Sequence, residues 1–164
     1  MTKEEKDLWK KIVDFELDDP DSDYNFTDKL CRENNWTYDF AIRAILEYKK
    51  FIFLVCISDF HLAPSDEVDQ VWHLHLLYTY SYWTEMCKEI LKREIHHGPT
   101  KGKNEKEHFT DLYEETKERY REVFKFEPPI DIWPSSQDRF HYIHFVRVNM
   151  HKNWVVPKKI FEKK

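Results

Sequence analysis

The sequence predicts a mainly α, single-domain bundle of four to five helices, followed by an irregular or short-strand C-terminal arm. Three observations predict it. Apolar residues recur at i, i+3 and i+4 over long stretches. Helix-capping residues stand at the heads of those stretches. Only two glycines, Gly98 and Gly102, occur in 164 residues, so a sandwich or barrel of tight hairpins lacks its turn residue.

The elements follow in order. Thr2 and Glu5 form a capping-box pair for a helix over 3–17, with Leu8, Trp9, Ile12, Val13 and Phe15 at helical spacing. Asp18 to Asp23, with Pro20, is an acidic loop. A short helix is expected over 27–33, broken by Asn34-Asn35. Thr37 caps a long helix over 38–58 whose inner face is Phe40, Ala41, Ala44, Ile45, Tyr48 and Phe51. Its second half, Phe51 to Ile57, is apolar all round and belongs in the middle of the fold. Ser65 caps the next helix, with Asp66, Glu67 and Asp69 favourably placed at the positive end of its dipole. That helix is expected to run unbroken to about Glu94. Residues 95–104 read as a loop, and Asn104 with Glu107 as the cap of a charged amphipathic helix over 105–124. Pro128-Pro129 ends that element, Trp133-Pro134 is extended, and residues 140–157 fit either period, with Trp154-Val155-Val156 as a short strand or packed arm.

Residues 1–164 read as one domain. Its C-terminal basic extended arm, 139–164, holds seven basic residues against Glu162 alone. The first 100 residues carry 12 Lys/Arg against 20 Asp/Glu, and the net charge is −5. With no dense Lys/Arg run, this argues against a nucleic-acid partner. The longest apolar run is seven residues, so no membrane span is expected. Three scattered cysteines and a charged N-terminus suit a cytoplasmic protein with reduced thiols.

Several chemistries are excluded. Two glycines four apart build neither a dinucleotide fingerprint nor a P-loop nor a G-x-S-x-G elbow. H-E-x-x-H and C-x-x-C are both absent, which removes zincin proteases and zinc ribbons. What remains is histidine. Nine are present, and His61, His73, His75, His96 and His97 fall in one region.

Asp69 and His73 are four apart and share a helix face. With His96 or His97 they form a candidate metal set: imidazole and carboxylate suit zinc or iron. A straight helix raises an objection, since it carries the His96-His97 pair about 30 Å from His73 at 1.5 Å per residue. An early end or kink, or ligands from another segment, would remove it. His75 points away from His73, on the stripe of Val68, Trp72, Thr79, Tyr82 and Met86. It reads as a buried, hydrogen-bonded core histidine, with a place in the metal set as the alternative. His61 beside Asp59, and His141 with His144, are weaker candidates; Cys87 reads as core. Both glycines lie in the loop just after the histidine pair, either as a backbone shaped to present His96 or His97 or as a helix stop followed by a turn.

Two functions fit. One is a His/Asp divalent-metal site supporting hydrolytic or redox chemistry. The other is a non-enzymatic module that binds another protein, its histidines serving as structural hydrogen-bonding groups.

The residues also carry a likeness. Phe26 to Leu30, Glu33 to Trp36, Glu47 to Phe51, and above all Pro64-Ser65-Asp-Glu-Val68-Asp69-Gln-Val-Trp72-His73-Leu-His75 resemble the glycine-rich domain-containing protein-like family in its bacterial branch. Tyr82, Cys87, His96-His97-Gly98-Pro99, Tyr120 to Phe124, Pro128-Pro129 and Ile132-Trp133-Pro134 are similar in order and spacing. The likeness covers a core of 26–134, and Val148 to Lys158 beyond it. It implies the family's helical domain without a glycine-rich extension. It singles out Asp69, Trp72, His73, His75 and the His96-His97 pair, but brings no biochemical activity with it. Lys125 stands where similar sequences have glycine, so the resemblance implies a differently shaped helix end there.

Overall fold

The computed structural model describes residues 1–98, 105–141, 145 and 148–156. The chain is mainly helical, as predicted. Its helices are α1 (Lys3–Asp14), α2 (Phe26–Asn34), α3 (Tyr38–Ile57), α4 (Asp66–Leu77), a π-helix here called π1 (Tyr80–Leu91), α5 (Glu105–Phe124) and α6 (Ser136–His141). Among the described residues seven helices thus replace the expected four to five. The count rises because the 66–94 helix divides in two and because α6 forms after Trp133.

The caps act as read. Thr2 and Glu5 close a capping box, and the Thr37 and Ser65 side chains accept the backbone N–H groups of Phe40 and Val68. Asn35 ends α2 in a left-handed conformation, φ 55°, which asparagine tolerates best after glycine. α1 stops at Asp14 rather than residue 17, because Phe15 is extended. Lys125 also adopts a left-handed φ of 65°, and its N–H donates to the Arg121 carbonyl. That is the conformation glycine prefers after a helix, so the helix end has the usual αL shape despite the lysine.

α3 is the axis of the molecule, with α1, α2, α4 and α5 packed around it. Phe51, Ile52, Phe53 and Leu54 are fully buried, as the all-round apolar pattern predicts. Burying each such side chain contributes roughly 1.5–3 kcal/mol. Trp133 is buried against Phe51, Tyr113 and Tyr120, so the segment after Pro128-Pro129 belongs to the core. α6 is tied back to the head of α4 by the Arg139–Asp66 ion pair.

The decisive departure lies between Leu77 and Tyr80. Tyr78 leaves the helical region (φ −87°, ψ 66°), and its N–H donates to the His75 carbonyl three residues back. The chain then rewinds in wider turns. The buried residues of π1, Tyr82, Met86, Cys87 and Leu91, recur every four to five positions, as i→i+5 winding requires. At its end the Cys87 carbonyl accepts both the Lys92 and Arg93 N–H groups, with Lys92 left-handed.

The expected strand at Trp154-Val155-Val156 is absent: these residues are neither helix nor strand, and Trp154 is exposed. Among the described residues no strand lies beside them to complete a ladder. The Asn104–Glu107 cap, Gly102, His144 and the arm beyond residue 156 lie outside the described residues.

Candidate metal centre

The break at Tyr78 removes the distance objection. The segment after π1 returns to the start of α4. His97 Nε2 lies 2.7 Å from Asp69 Oδ1, a hydrogen bond donated by the imidazole. His73 Nε2 stands 3.6 Å from Asp69 Oδ2, and the rings of His73 and His97 are 4.5 Å apart. One ligand atom from each of Asp69, His73 and His97 lies within 4.8 Å of the others. In a tetrahedral site two atoms each about 2.1 Å from a zinc ion are about 3.4 Å apart, so the longest of these separations must shorten by up to about 1.4 Å. The side chains of Asp69 and His97 are 18% and 20% exposed and that of His73 is 49% exposed. The cluster is walled on the α4 side and open to solvent beyond His73.

His96 goes elsewhere. Its side chain is 73% exposed, it pairs with Glu94 at 3.2 Å, and its ring packs on Trp83. Of the two adjacent histidines, only His97 turns inward, with its ring 4.6 Å from Trp72. Gly98 is not what turns it. A Cβ added there would meet nothing within 4 Å, and none of the described glycines has positive φ. His61 is exposed in the connection between α3 and α4.

His75 is fully buried on the opposite side of α4. Its Nδ1 is 2.8 Å from the Tyr48 hydroxyl and its Nε2 3.2 Å from Ser81 Oγ. The Tyr48 hydroxyl is buried and donates to Nδ1; Nε2–H then donates to Ser81. The opposite tautomer strands the buried Tyr48 hydrogen. Burial pushes the His75 imidazole down to about 3. The unfolded chain therefore takes up this proton near pH 6.5, whereas the folded chain refuses it until about pH 3. Stability contributed by neutral His75 is complete above pH 6.5 and drains away as pH falls through that window, by about 1.4 kcal/mol per unit. Unfolding free energies from urea titrations at pH 7 and pH 5 will differ by about 2 kcal/mol more in the wild type than in His75→Gln. An equal slope in both proteins refutes this.

Cys87 is buried, and desolvation raises its thiol pKa, in keeping with its reading as core. Sequence reasoning missed two features. One is the chain of hydrogen bonds behind His97: Trp72 Nε1–H donates to the Tyr82 hydroxyl at 2.9 Å, which donates to the Ile95 carbonyl at 2.6 Å. The other is a buried charge network. Lys50 Nζ donates to Glu47 Oε1 and to the Tyr120 hydroxyl, each at 2.7 Å, and Trp133 Nε1–H donates to Glu47 Oε2 at 3.0 Å.

No protein-family model, no curated protein and no solved structure gives a significant match to this chain.

Proposed function

We propose that the chain is a metalloprotein whose divalent ion, zinc or ferrous iron, is held by Asp69, His73 and His97. The observation that carries this reading is the convergence of three donors within 4.8 Å, two from α4 and one delivered by the return of the chain after π1. Two imidazoles and one carboxylate on one side of an ion leave positions open on the other, the donor arrangement of catalytic rather than closed structural sites. A bound ion of this kind supplies a water activated near neutral pH, or an open position for redox chemistry. The chain's own part is to position. Asp69 holds His97 by its hydrogen bond, and to ligate through Nε2 His97 must carry its proton on Nδ1 instead. Both imidazoles must be neutral, so metal binding weakens in acid. His75 stays outside the set as a structural residue.

We place the chain in the cytoplasm, in keeping with its three free thiols. No helix among the described residues is long and apolar enough to cross a membrane. We also read it as the helical domain of a glycine-rich domain-containing protein-like protein. The motif residues Asp69, Trp72 and His73, with His97, are the ones that converge.

A second reading has one observation in its favour: Asp69 and His97 already satisfy each other at 2.7 Å. On that reading the histidines tie two segments together, and the chain is a module for another protein. Metal content by plasma mass spectrometry separates the two. The metal reading expects about one ion per chain in the wild type and its loss in His73→Ala. A metal-free wild type, with His73→Ala unchanged in fold, overturns it.

A further inference from the structure

The centre's weakest point is His97, the one ligand that α4 does not carry. Asp69 and His73 are fixed by four residues of regular helix. His97 follows π1 by six residues, in a segment with no helical or strand bonding of its own. Two residues before it, Ile95 is buried and its carbonyl is held by Tyr82, whose hydroxyl is held in turn by Trp72 of α4. Tyr82 is fully buried. Trp72 meets His97 directly at 4.6 Å, with the rings 74° apart. One hydroxyl therefore joins the helix that bears two ligands to the backbone that bears the third.

We propose that Tyr82, acting through Ile95 and Trp72, is the positioning residue that sets His97 as the third ligand. The inference rests on the metal reading above and deepens it: Tyr82 never touches the ion, yet decides whether the ion sees three donors or two. Geometry supports the assignment beyond mere packing. The aromatic ring of Tyr82 is enough to fill its place, edge-on to His75 at 5.1 Å and to Trp83 at 4.9 Å. The hydroxyl adds nothing to that packing; it adds only the bridge. Removing it leaves the Trp72 N–H and the Ile95 carbonyl buried without their partner, so the segment carrying His97 has reason to swing outward.

The test is zinc binding by Tyr82→Phe, measured by calorimetry with a competing chelator. Loss of a group that orients a ligand typically costs 10–100-fold in metal affinity, and that weakening is expected here. A cycle with the ligands distinguishes positioning from general loosening. In a His97→Ala background Tyr82→Phe should weaken the residual zinc binding no further. Tyr48→Phe, which removes a hydroxyl equally buried on His75, should leave zinc affinity unchanged. Equal affinity of Tyr82→Phe and wild type overturns the proposal, as does equal weakening in the His97→Ala background. A wild type that binds no zinc overturns the metal reading. The positioning claim is then judged on the metal-free protein by long-range proton–nitrogen correlation of the imidazoles. The hydrogen-bonded His97 Nε2 signature should be present in the wild type and lost in Tyr82→Phe; its persistence in the variant rejects the claim.

Discussion

Glu47→Gln is expected to destabilise the fold by about 3–5 kcal/mol, the cost of leaving a buried charge without its counter-ion. In a chain of this length that lowers the melting temperature by roughly 10 °C. The arrangement explains the size. Glu47 and Lys50 are 4% and 8% exposed, one turn apart on α3. The Lys50 ammonium sits over the rings of Tyr120, Phe124 and Phe126, with centroids at 5.2, 5.6 and 4.8 Å. Those rings exclude the water that would otherwise solvate it once the carboxylate is neutralised. Glutamine keeps an oxygen for Trp133 or for Lys50, but no charge. The pair as a whole is another matter. Replacing a buried ion pair by apolar groups is often neutral or better, so Glu47→Gln with Lys50→Met should recover most of the loss. Urea unfolding of the single and the double variant against wild type checks this. A single variant within 1 kcal/mol of wild type shows that water reaches the network.

Asp69→Asn is expected to abolish stoichiometric metal while leaving the metal-free fold within about 1 kcal/mol of wild type. Asparagine is isosteric, and its amide oxygen still accepts the His97 N–H, so the segment stays docked. What vanishes is the only anionic donor of the three. The loss in zinc affinity should exceed the 10–100-fold cost of losing a supporting group. Cobalt substitution reads the same event optically. An Asp69→Asn protein that retains one ion per chain would place the ligands elsewhere. One that loses the metal only by unfolding would return Asp69 to a structural role.

Much of the helical frame was legible. Thr2, Thr37 and Ser65 marked helix starts because a side-chain oxygen must serve N–H groups that no carbonyl can reach. Phe51 to Ile57 marked the centre because only a buried helix is apolar on every face. The break at Tyr78 was not legible from glycine or proline, since neither occurs between 65 and 94. A weaker signal was there. Residues 78–84 read Tyr-Thr-Tyr-Ser-Tyr-Trp-Thr, a run without one strong helix former. Tertiary contacts use that weakness: Tyr78 packs edge-on to Phe26 at 5.3 Å and lies under the Lys29 ammonium.

The same break decided which histidine reaches Asp69. Asp69 and His73 followed from helical spacing, but the choice of His97 over His96 depends on the angle at which the chain returns after π1, which no local pattern encodes. Glu47 and Lys50 were hidden for a related reason. Three residues apart on a helix, they look like an ordinary solvated pair until Tyr120 and Trp133, from 70 to 86 positions away, close over them.

The poor helix-forming run at 78–84 bears on how this protein tolerates improvement. By local propensity alone, alanine or leucine at Thr79 or Tyr80 would count as gains, since both sites are exposed. Such changes favour one continuous rod from Asp66 onward, and in that rod residue 97 never comes home. The chain keeps a local frustration that a stability-guided redesign would erase first. Selection for helicity and selection for the contact of His97 with Asp69 thus pull the same two turns in opposite directions.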